Sequence, residues 1–373
     1  MNIAIITISE HNNYGNRLQN YALQKFLLNY AGNVDTIWWN RDNYLVNKKK
    51  WNIKTIVKYL LNWKNARYYL NNKYIKEVIR EYNIKKFSDK YISIKYDYQI
   101  KKFLDKEYDY FIVGSDQVWN FNFWNDWDTL EHTLEAVFLK FAPRKKKIAY
   151  AASLGISDIP DKTRKIYIES LRDFNFISIR EKKGASLIEN LLKRNIPVLV
   201  DPTILLSKEE WKEIELVPNW YKGDRYILTY FLGEASSIIK NIAKRNNWKI
   251  YNLMDSNNLD LYTSRVEEFI YLIENAELVI TDSFHACVFS ILMNTPFLVV
   301  NRQQKGVADM TSRIDTLMEL FGYQDRYIVN GKCDLSDKDI LNMDFSNVKT
   351  IQEREKKRSK DFLEKALNLK LKN

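Results

Sequence analysis

The sequence has little cysteine, no long apolar run and no recognisable leader. Cys287 and Cys333 are its only cysteines among 373 residues, too few for a disulfide framework and without the spacing of a metal site. No stretch approaches the roughly eighteen apolar residues that a membrane-spanning helix needs. Residues 1–8 lack a basic leader and a small-residue cleavage site. We therefore expect a cytoplasmic protein of a reducing compartment, peripheral to the inner face of the membrane at most.

The charge of the chain is strongly positive but dispersed. It carries 58 basic and 47 acidic residues, a formal net charge of +11. This excess favours anionic partners such as phosphorylated metabolites, anionic lipids or nucleic acid, and does not choose among them. Lysines are scattered among Asn, Ile and Tyr along the whole chain, so we expect no nucleic-acid partner.

Length and periodicity predict an α/β protein of two domains. A content of 46% hydrophobic residues excludes disorder as the main state, and the length exceeds what one compact core usually carries. Short β-rich runs alternate with helical patterns, as in parallel sheets with helical crossovers. Strands are predicted at residues 2–8, 34–38, 110–113, 147–151, 176–179 and 198–200, then at 226–231, 249–253, 278–281 and 297–300.

The connection at residues 216–224 separates these two series. Its Pro, Asn and Gly residues are typical of a linker, which places one Rossmann-like domain at residues 1–215 and a smaller one at 222–347. The stretch 44–106, dense in Lys, Trp and Tyr, predicts a helical insertion without a clear strand. Residues 348–373 predict a charged helix that packs back on the first domain.

Polar clusters follow the predicted strands directly, where open α/β sheets bind their ligands. None contains the Gly-rich pattern of a phosphate loop or of a dinucleotide-binding turn, which disfavours NTPase and dinucleotide-dependent functions. The clusters occupy residues 11–19, 114–120, 152–155, 180–181, 201–203 and 281–286.

Two residues of these clusters suit an anion. Arg180 ends a predicted strand, where a guanidinium can hold a carboxylate or a phosphate by two parallel hydrogen bonds; pairing with a neighbouring carboxylate is the alternative. His285, one of three histidines, begins an apolar helix after Ser283. A helix N-terminus with a hydroxyl and an imidazole favours anions, and a capping serine with a structural histidine is the alternative there.

Taken in order, these clusters resemble the polysaccharide pyruvyl transferase family. The matching segments are residues 13–23, 112–120, 150–155, 177–181, 201–203, 279–285 and 312–314. The resemblance implies two Rossmann-like domains facing each other across a cleft, as in GT-B glycosyltransferases, with phosphoenolpyruvate as donor and a sugar diol as acceptor. Members of the family form pyruvate ketals on bacterial surface polysaccharides or on lipid-linked precursors.

The resemblance also implies site residues. The donor-binding arginine and histidine of the family fall on Arg180 and His285, with Ser283, Phe284 and Arg313 on the same donor side; Ala286 stands where the family often has Gly. Arg313 either adds charge to the donor pocket or pairs on its helix. The residues expected to line the cleft on the acceptor side are Asn13, Gly15, Asn16, Ser115, Asp116, Gln117 and Ser153.

The resulting hypothesis gives three residues a part in catalysis. His285 binds phosphate and acts as the acid, Arg180 holds the anion, and Asp116 is a candidate base or a ligand of an acceptor hydroxyl. A carboxylate at the start of a turn is also a common cap. We expect no cofactor and no metal, because no His-rich or paired-carboxylate pattern has ligand spacing.

Three questions stay open at this stage. A GT-B glycosyltransferase that uses a nucleotide-sugar would have the same cleft, and a non-catalytic protein that binds a sugar or a phosphometabolite would retain the same fold. The insertion carries Trp51, Trp63, Tyr68 and Tyr69 among lysines; these either contact an anionic membrane that holds a lipid-linked acceptor or pack inward while the lysines are solvated.

Overall fold

The computed structural model describes residues 1–40, 73–100, 104–231, 238–300, 312–328 and 335–369. The strands are β1 (Asn2–Ile6), β2 (Asn33–Trp38), β3 (Ile94–Tyr96), β4 (Tyr110–Val113), β5 (Lys147–Ala152), β6 (Phe176–Ile179), β7 (Tyr226–Tyr230), β8 (Lys249–Asn252), β9 (Leu278–Thr281), β10 (Phe297–Val300) and β11 (Tyr327–Ile328). The helices are α1 (Tyr14–Leu27), α2 (Lys73–Tyr91), α3 (Leu104–Glu107), α4 (Trp124–Trp127), α5 (Leu130–Val137), α6 (Asp161–Leu171), α7 (Lys182–Leu192), α8 (Lys208–Lys212), α9 (Ile238–Asn246), α10 (Leu259–Tyr262), α11 (Val266–Glu274), α12 (Phe284–Met293), α13 (Ser312–Phe321), α14 (Asp337–Leu341) and α15 (Val348–Ala366).

The strands form two parallel sheets. The first has the order β3-β2-β1-β4-β5-β6 and the second the order β11-β10-β9-β7-β8. The chain order reverses between β1 and β4 in the first sheet and between β7 and β9 in the second. Such switch points leave a crevice at the carboxyl ends of the strands, where doubly wound folds bind ligands. The α/β class and the two Rossmann-like domains predicted from the sequence are confirmed.

Several predicted elements have the observed bounds, and three regions differ. The strands at 110–113, 176–179, 278–281 and 297–300 are found as predicted. Residues 198–200 form only an isolated bridge between Val198 and Ile179, because Asp201 caps a 3-10 turn at Pro202–Leu205 that ends the extended chain. The stretch 44–106 contains the strand β3, so the prediction of no strand there is wrong, and β11 was not predicted at all. Both are short edge strands, which lack the apolar run of a central strand.

The four aromatic residues proposed to contact a membrane, Trp51, Trp63, Tyr68 and Tyr69, lie outside the described residues. Membrane contact therefore stays a prediction. No helix in the described part of the chain is both long enough and apolar enough to cross a bilayer.

The two domains share a continuous hydrophobic core. Trp211, in α8 before the linker, packs between Tyr21 of α1 and Phe289 of α12, with ring centroids 5.7 and 4.8 Å away. Tyr14 of α1 stacks on Phe269 of α11 at 4.8 Å and donates a hydrogen bond to the Ser264 carbonyl at 2.8 Å. A large apolar interface of this kind fixes the relative orientation of two domains.

Helix α2 adds polar contacts across the same interface. The buried Arg80 guanidinium donates to the carbonyls of Leu253 and Tyr262 at 3.1 and 2.6 Å, and it lies 4.6 Å from the centre of the Tyr14 ring. Asn83, one turn further along, donates to the Thr263 carbonyl at 2.6 Å. The helix thus binds the backbone of residues 253–263, which follow β8 in the second sheet.

Helix α15 returns from the second domain to the first. The Gln352 side chain donates to the carbonyls of Ile204 and Leu206, both at 2.8 Å. The Phe362 ring contacts the rings of Tyr150 in β5 and Phe176 in β6. The C-terminal part of the described chain therefore covers one face of the first sheet.

Candidate functional site

Two helix N-termini, one from each domain, meet at the crevice. Asn13 caps α1 by accepting a hydrogen bond from the Gly15 backbone at 2.9 Å, and Ser283 caps α12 by accepting one from the Ala286 backbone at 3.5 Å. A Cβ atom on Gly15 would lie 2.0 Å from Nδ1 of His285, closer than any real contact. Only glycine therefore fits beside His285, and the positive ends of both helix dipoles point toward the same region.

Asp201 is the centre of the charged cluster beside these helices. One oxygen of its fully buried carboxylate accepts hydrogen bonds from Arg180 at 2.6 Å and from the Ser115 hydroxyl at 2.9 Å. Nε2 of His285 lies 3.6 Å from that same oxygen. Residues that follow β4, β6 and β9 are thereby brought together from both sheets.

Asp116 occupies the edge of this cluster. Its carboxylate accepts hydrogen bonds from the Asn16 amide at 3.0 Å and from the Gln117 backbone at 2.8 Å, and it lies 3.5 Å from the Arg180 guanidinium. Arg17 in turn donates to the Asn16 side chain at 2.8 Å. Both carboxylate oxygens therefore have partners within the site.

The cations of the cluster keep its carboxylates ionised. Burial raises the pKa of Asp116, but Arg180, His285 and Arg313 outweigh burial and lower it. Burial likewise raises the pKa of Asp201, and His285, Arg180 and Thr203 together lower it well below its usual range. Burial lowers the pKa of Arg180, whereas Asp201 and Asp116 raise it above the usual value. The guanidinium and the two carboxylates thus stay charged at neutral pH.

A cavity of about 350 Å³ adjoins the cluster. Arg180 and Phe284 form part of its wall, with the Arg180 guanidinium carbon 4.6 Å from the centre of the Phe284 ring. Basic side chains on three helices also line it; they are Lys182, Arg313, Arg354 and Arg358. This excess of positive charge over the neighbouring Asp201, Glu319 and Glu355 suits an anionic ligand.

Three other residues expected on the acceptor side use their side chains in hydrogen bonds that stabilise loops and a helix cap. The Ser153 hydroxyl donates to Glu181 at 3.2 Å, and that carboxylate also accepts from the backbone of Leu154 and Gly155 at 2.8 and 3.2 Å. The Gln117 side chain accepts from Asn120 at 3.0 Å. Asn13 uses its side chain as the cap of α1. The structure does not bring these three side chains into contact with Arg180 or His285 by any described hydrogen bond.

Asp201, Arg17 and Glu181 also belong to the site, although no sequence pattern singled them out. Asp201 follows a predicted strand and lies in a segment that resembles the family, the same two signals that marked Arg180. Its central place appears only in the folded sheet, where the 3-10 turn that follows β6 comes within hydrogen-bond distance of Ser115 after β4. Within the described residues, no group of three or more His, Cys, Asp or Glu side chains is arranged to hold a metal ion.

The comparison with protein families matches a range that contains Arg180, Asp201 and His285 of this site. The sequence pattern of the family described as polysaccharide pyruvyl transferase matches residues 13–304, whereas a comparison with curated proteins finds no match. Among solved structures, the chain is similar to UDP-GlcNAc 2-epimerase from Neisseria meningitidis bound to UDP-GlcNAc, with 10% identity, a TM-score of 0.44, and coverage of 96% of this chain and 94% of that chain. It is also similar to MurG from Acinetobacter baumannii, with 10% identity, a TM-score of 0.39, and coverage of 99% and 98%.

These structural likenesses are too distant to support an argument about substrate. The family match, by contrast, covers well over half of the chain and runs from the cap of α1 through His285 to the end of β10. The chain therefore belongs to the polysaccharide pyruvyl transferase family.

Proposed function

We propose that this protein transfers the enolpyruvyl group of phosphoenolpyruvate to a sugar diol of a surface polysaccharide or of its lipid-linked precursor. The products are a pyruvate ketal and phosphate. The observation that carries the proposal is the convergence of Arg180 and His285 from two domains on Asp201, beside a cavity lined by Arg180 and four further cations. Such a protein works in the cytoplasm or at the inner face of the membrane, where activated precursors are available.

The donor is matched to the charges of the site. Phosphoenolpyruvate carries a carboxylate and a phosphate, and each needs cations or oriented N–H groups. Arg180 and Arg313 supply guanidinium groups, and the N-terminus of α12 supplies backbone N–H groups beside His285. No metal and no cofactor enters this proposal.

Ketal formation needs one acid and leaves one proton with phosphate. A proton from His285 adds to the methylene carbon, which becomes a methyl group and leaves an oxocarbenium-like centre at the neighbouring carbon. One sugar hydroxyl attacks that centre and its proton returns to the acid; the second hydroxyl displaces phosphate, which takes the other proton. Arg180 balances the charge of the donor throughout.

Asp116 suits binding better than proton abstraction. Both of its oxygens already accept hydrogen bonds, and the neighbouring cations lower its pKa, which makes it a weak base. We assign it the orientation of Arg180 and of an acceptor hydroxyl.

The acceptor side has a feature that suits saccharides. Tyr96 and Tyr98 are the exposed aromatic side chains of the described residues, at 45% and 37% exposure; Tyr96 ends β3 and Tyr98 follows it. The negative face of an aromatic ring attracts weakly positive C–H groups such as those of a sugar ring. These tyrosines lie at the carboxyl ends of the strands of the first sheet, as Asp116 does after β4, and we assign that side of the sheet to the acceptor.

Thermal stabilisation tests the proposal directly. A ligand that binds only the folded state raises Tm, by an amount equivalent to about 2.7 kcal/mol at 100 times its Kd. Phosphoenolpyruvate should raise Tm, and uridine and guanosine diphosphate sugars should not. The shift should disappear in Arg180→Ala and in His285→Ala, both with wild-type circular dichroism.

Arg164→Ala is the matched control, because Arg164 pairs only with a fully exposed carboxylate on α6. It should retain the whole shift. A shift with a nucleotide-sugar alone would contradict the proposal and favour a glycosyltransferase. Binding of phosphoenolpyruvate without ketal formation on any sugar would instead favour a non-catalytic binding protein.

A further inference from the structure

The two carboxylate oxygens of Asp201 have different partners, and one of them faces His285. Its first carboxylate oxygen is occupied by the backbone and the hydroxyl of Thr203, at 3.0 and 2.7 Å. Its second oxygen accepts from Arg180 and Ser115 and faces Nε2 of His285 at 3.6 Å. Every one of its hydrogen-bond donors belongs to the first domain, so the carboxylate is oriented before the second domain supplies the imidazole.

His285 is buried beside charged groups of the first domain, with an exposure of only 6%. Its Nε2 lies 3.6 Å from Asp201. It acts with Arg180 to lower the pKa of Asp201, and with Arg180 and Arg313 to lower the pKa of Asp116. Asp282 precedes α12 in the sequence.

Gly15 limits the ways in which the imidazole can move. Because a Cβ atom at residue 15 would overlap Nδ1 of His285, the ring lies directly against the backbone of α1. Nδ1 therefore faces α1 while Nε2 faces Asp201, and the two ring nitrogens have different neighbours.

We infer that Asp201 is the positioning residue of His285: its carboxylate, 3.6 Å from Nε2, fixes the side of the imidazole that faces the first domain. The two residues form a pair across the domain interface. The consequence for enolpyruvyl transfer rests on the proposed function, because it assumes that the proton of His285 is the one delivered to the donor.

Nuclear magnetic resonance of the histidine rings tests the pair without any substrate. The chain has three histidines. Burial, with help from Arg17 and Lys85, lowers the pKa of His11 to about 2, so its signal stays constant across the neutral range. His132→Gln distinguishes the signal of His132 from that of His285.

In Asp201→Asn we expect the titration midpoint of the His285 signal to fall by about one to three pH units, the effect of losing an opposite charge at this distance. Asp173→Asn is the matched control, since Asp173 pairs with Lys147 at the amino end of β5, away from the site; it should leave the midpoint unchanged. An unchanged midpoint in folded Asp201→Asn would overturn the inference.

Ser115→Ala decides the case if the buried Asp201→Asn variant does not fold. It removes one donor from the oxygen that faces His285 and leaves the rest of the carboxylate intact. The midpoint should rise, because the carboxylate then interacts more strongly with the imidazole. A midpoint that stays or falls would overturn the inference.

The pH profile of turnover separates this inference from the proposed function. If both hold, the alkaline limb of the Asp201→Asn profile, where the proton donor is lost, moves in the same direction as the NMR midpoint, and kcat falls. If the NMR midpoint moves but wild-type protein forms no ketal from phosphoenolpyruvate, the Asp201–His285 pair stands and the proposed function fails.

Discussion

At residue 15, the absence of a side chain determines where His285 can lie. Gly15→Ala places a methyl group 2.0 Å from the position of Nδ1, so the imidazole must move away from the backbone of α1 and leave its position between Gly15 and Asp201. A displacement of about 1 Å at a reacting group commonly costs about 100-fold in rate. We therefore expect turnover to fall by about 100-fold while the protein stays folded, measured by phosphate release and by circular dichroism.

Gly32→Ala is the control for that substitution, because a Cβ atom there meets nothing within 4 Å. It should retain full turnover and gain slightly in stability, as the unfolded chain loses freedom. Full turnover in Gly15→Ala would show that His285 tolerates displacement and is not the acid.

The residues of the site differ in how far the sequence alone could identify them. Arg180 and His285 could be found because each is an unusual residue at the end of a predicted strand. Asp201 has the same placement, but an aspartate before Pro-Thr is also a common cap, and it does cap the turn at Pro202–Leu205. The contact between Gly15 and His285 joins residues 270 positions apart across two domains, which no local pattern encodes.

Helix α2 is the element that connects the insertion to the second domain. In Arg80→Met the carbonyls of Leu253 and Tyr262 lose their buried donor, and each such group costs about 1–3 kcal/mol when unsatisfied. We expect the free energy of unfolding in urea to fall by about 2–4 kcal/mol. In Arg80→Lys this free energy should fall by less, because an ammonium group can still reach one of the two carbonyls.

Lys85→Met on the same helix is the matched control. Lys85 pairs with Asp89 on the surface, four residues along, and such pairs contribute about 0.3–0.5 kcal/mol. If Arg80→Met is no more destabilised than Lys85→Met, the polar contacts of α2 do not hold the interface.

Strand and helix patterns predicted the central elements of both sheets well, because buried parallel strands are short apolar runs that end in polar turns. The edge strands β3 and β11 were missed for the converse reason. β3 is the sequence Ile-Lys-Tyr with every residue at least partly exposed, so its pairing with β2 comes from tertiary context and not from local propensity.

For the whole molecule, the pH dependence of stability should reflect one carboxyl group at the domain junction. Burial and a hydrogen bond that the protonated carboxyl donates to the neighbouring Glu274 carboxylate raise the pKa of Glu215 to about 7. Because this pKa is raised, the stabilisation that the protonated Glu215 carboxyl provides is fully present below about pH 4.5, its pKa in the unfolded chain. It is lost as pH rises through about 7. Glu215→Gln mimics the protonated form, so its free energy of unfolding should equal that of wild type at pH 5. At pH 8 it should exceed the wild-type value by no more than about 1 kcal/mol after solvent screening.

Urea unfolding at both pH values measures this difference, and the shared core predicts one transition for both domains. Glu213→Gln is the control, because Glu213 pairs with Lys25 on the surface of the first domain. A Glu215→Gln advantage that is the same at pH 5 and pH 8 would contradict the assignment.

The shared core also has a consequence for how the chain is made. Residues 1–215 leave the ribosome first, and domains generally fold in that order during synthesis. Until α11 and α12 follow, Tyr14 and Trp211 have no Phe269 and Phe289 to cover them. The nascent protein therefore exposes aromatic surface next to an already ionised Asp201 and Arg180, and a polypeptide interrupted before residue 285 would combine an incomplete site with a surface that favours aggregation or chaperone binding.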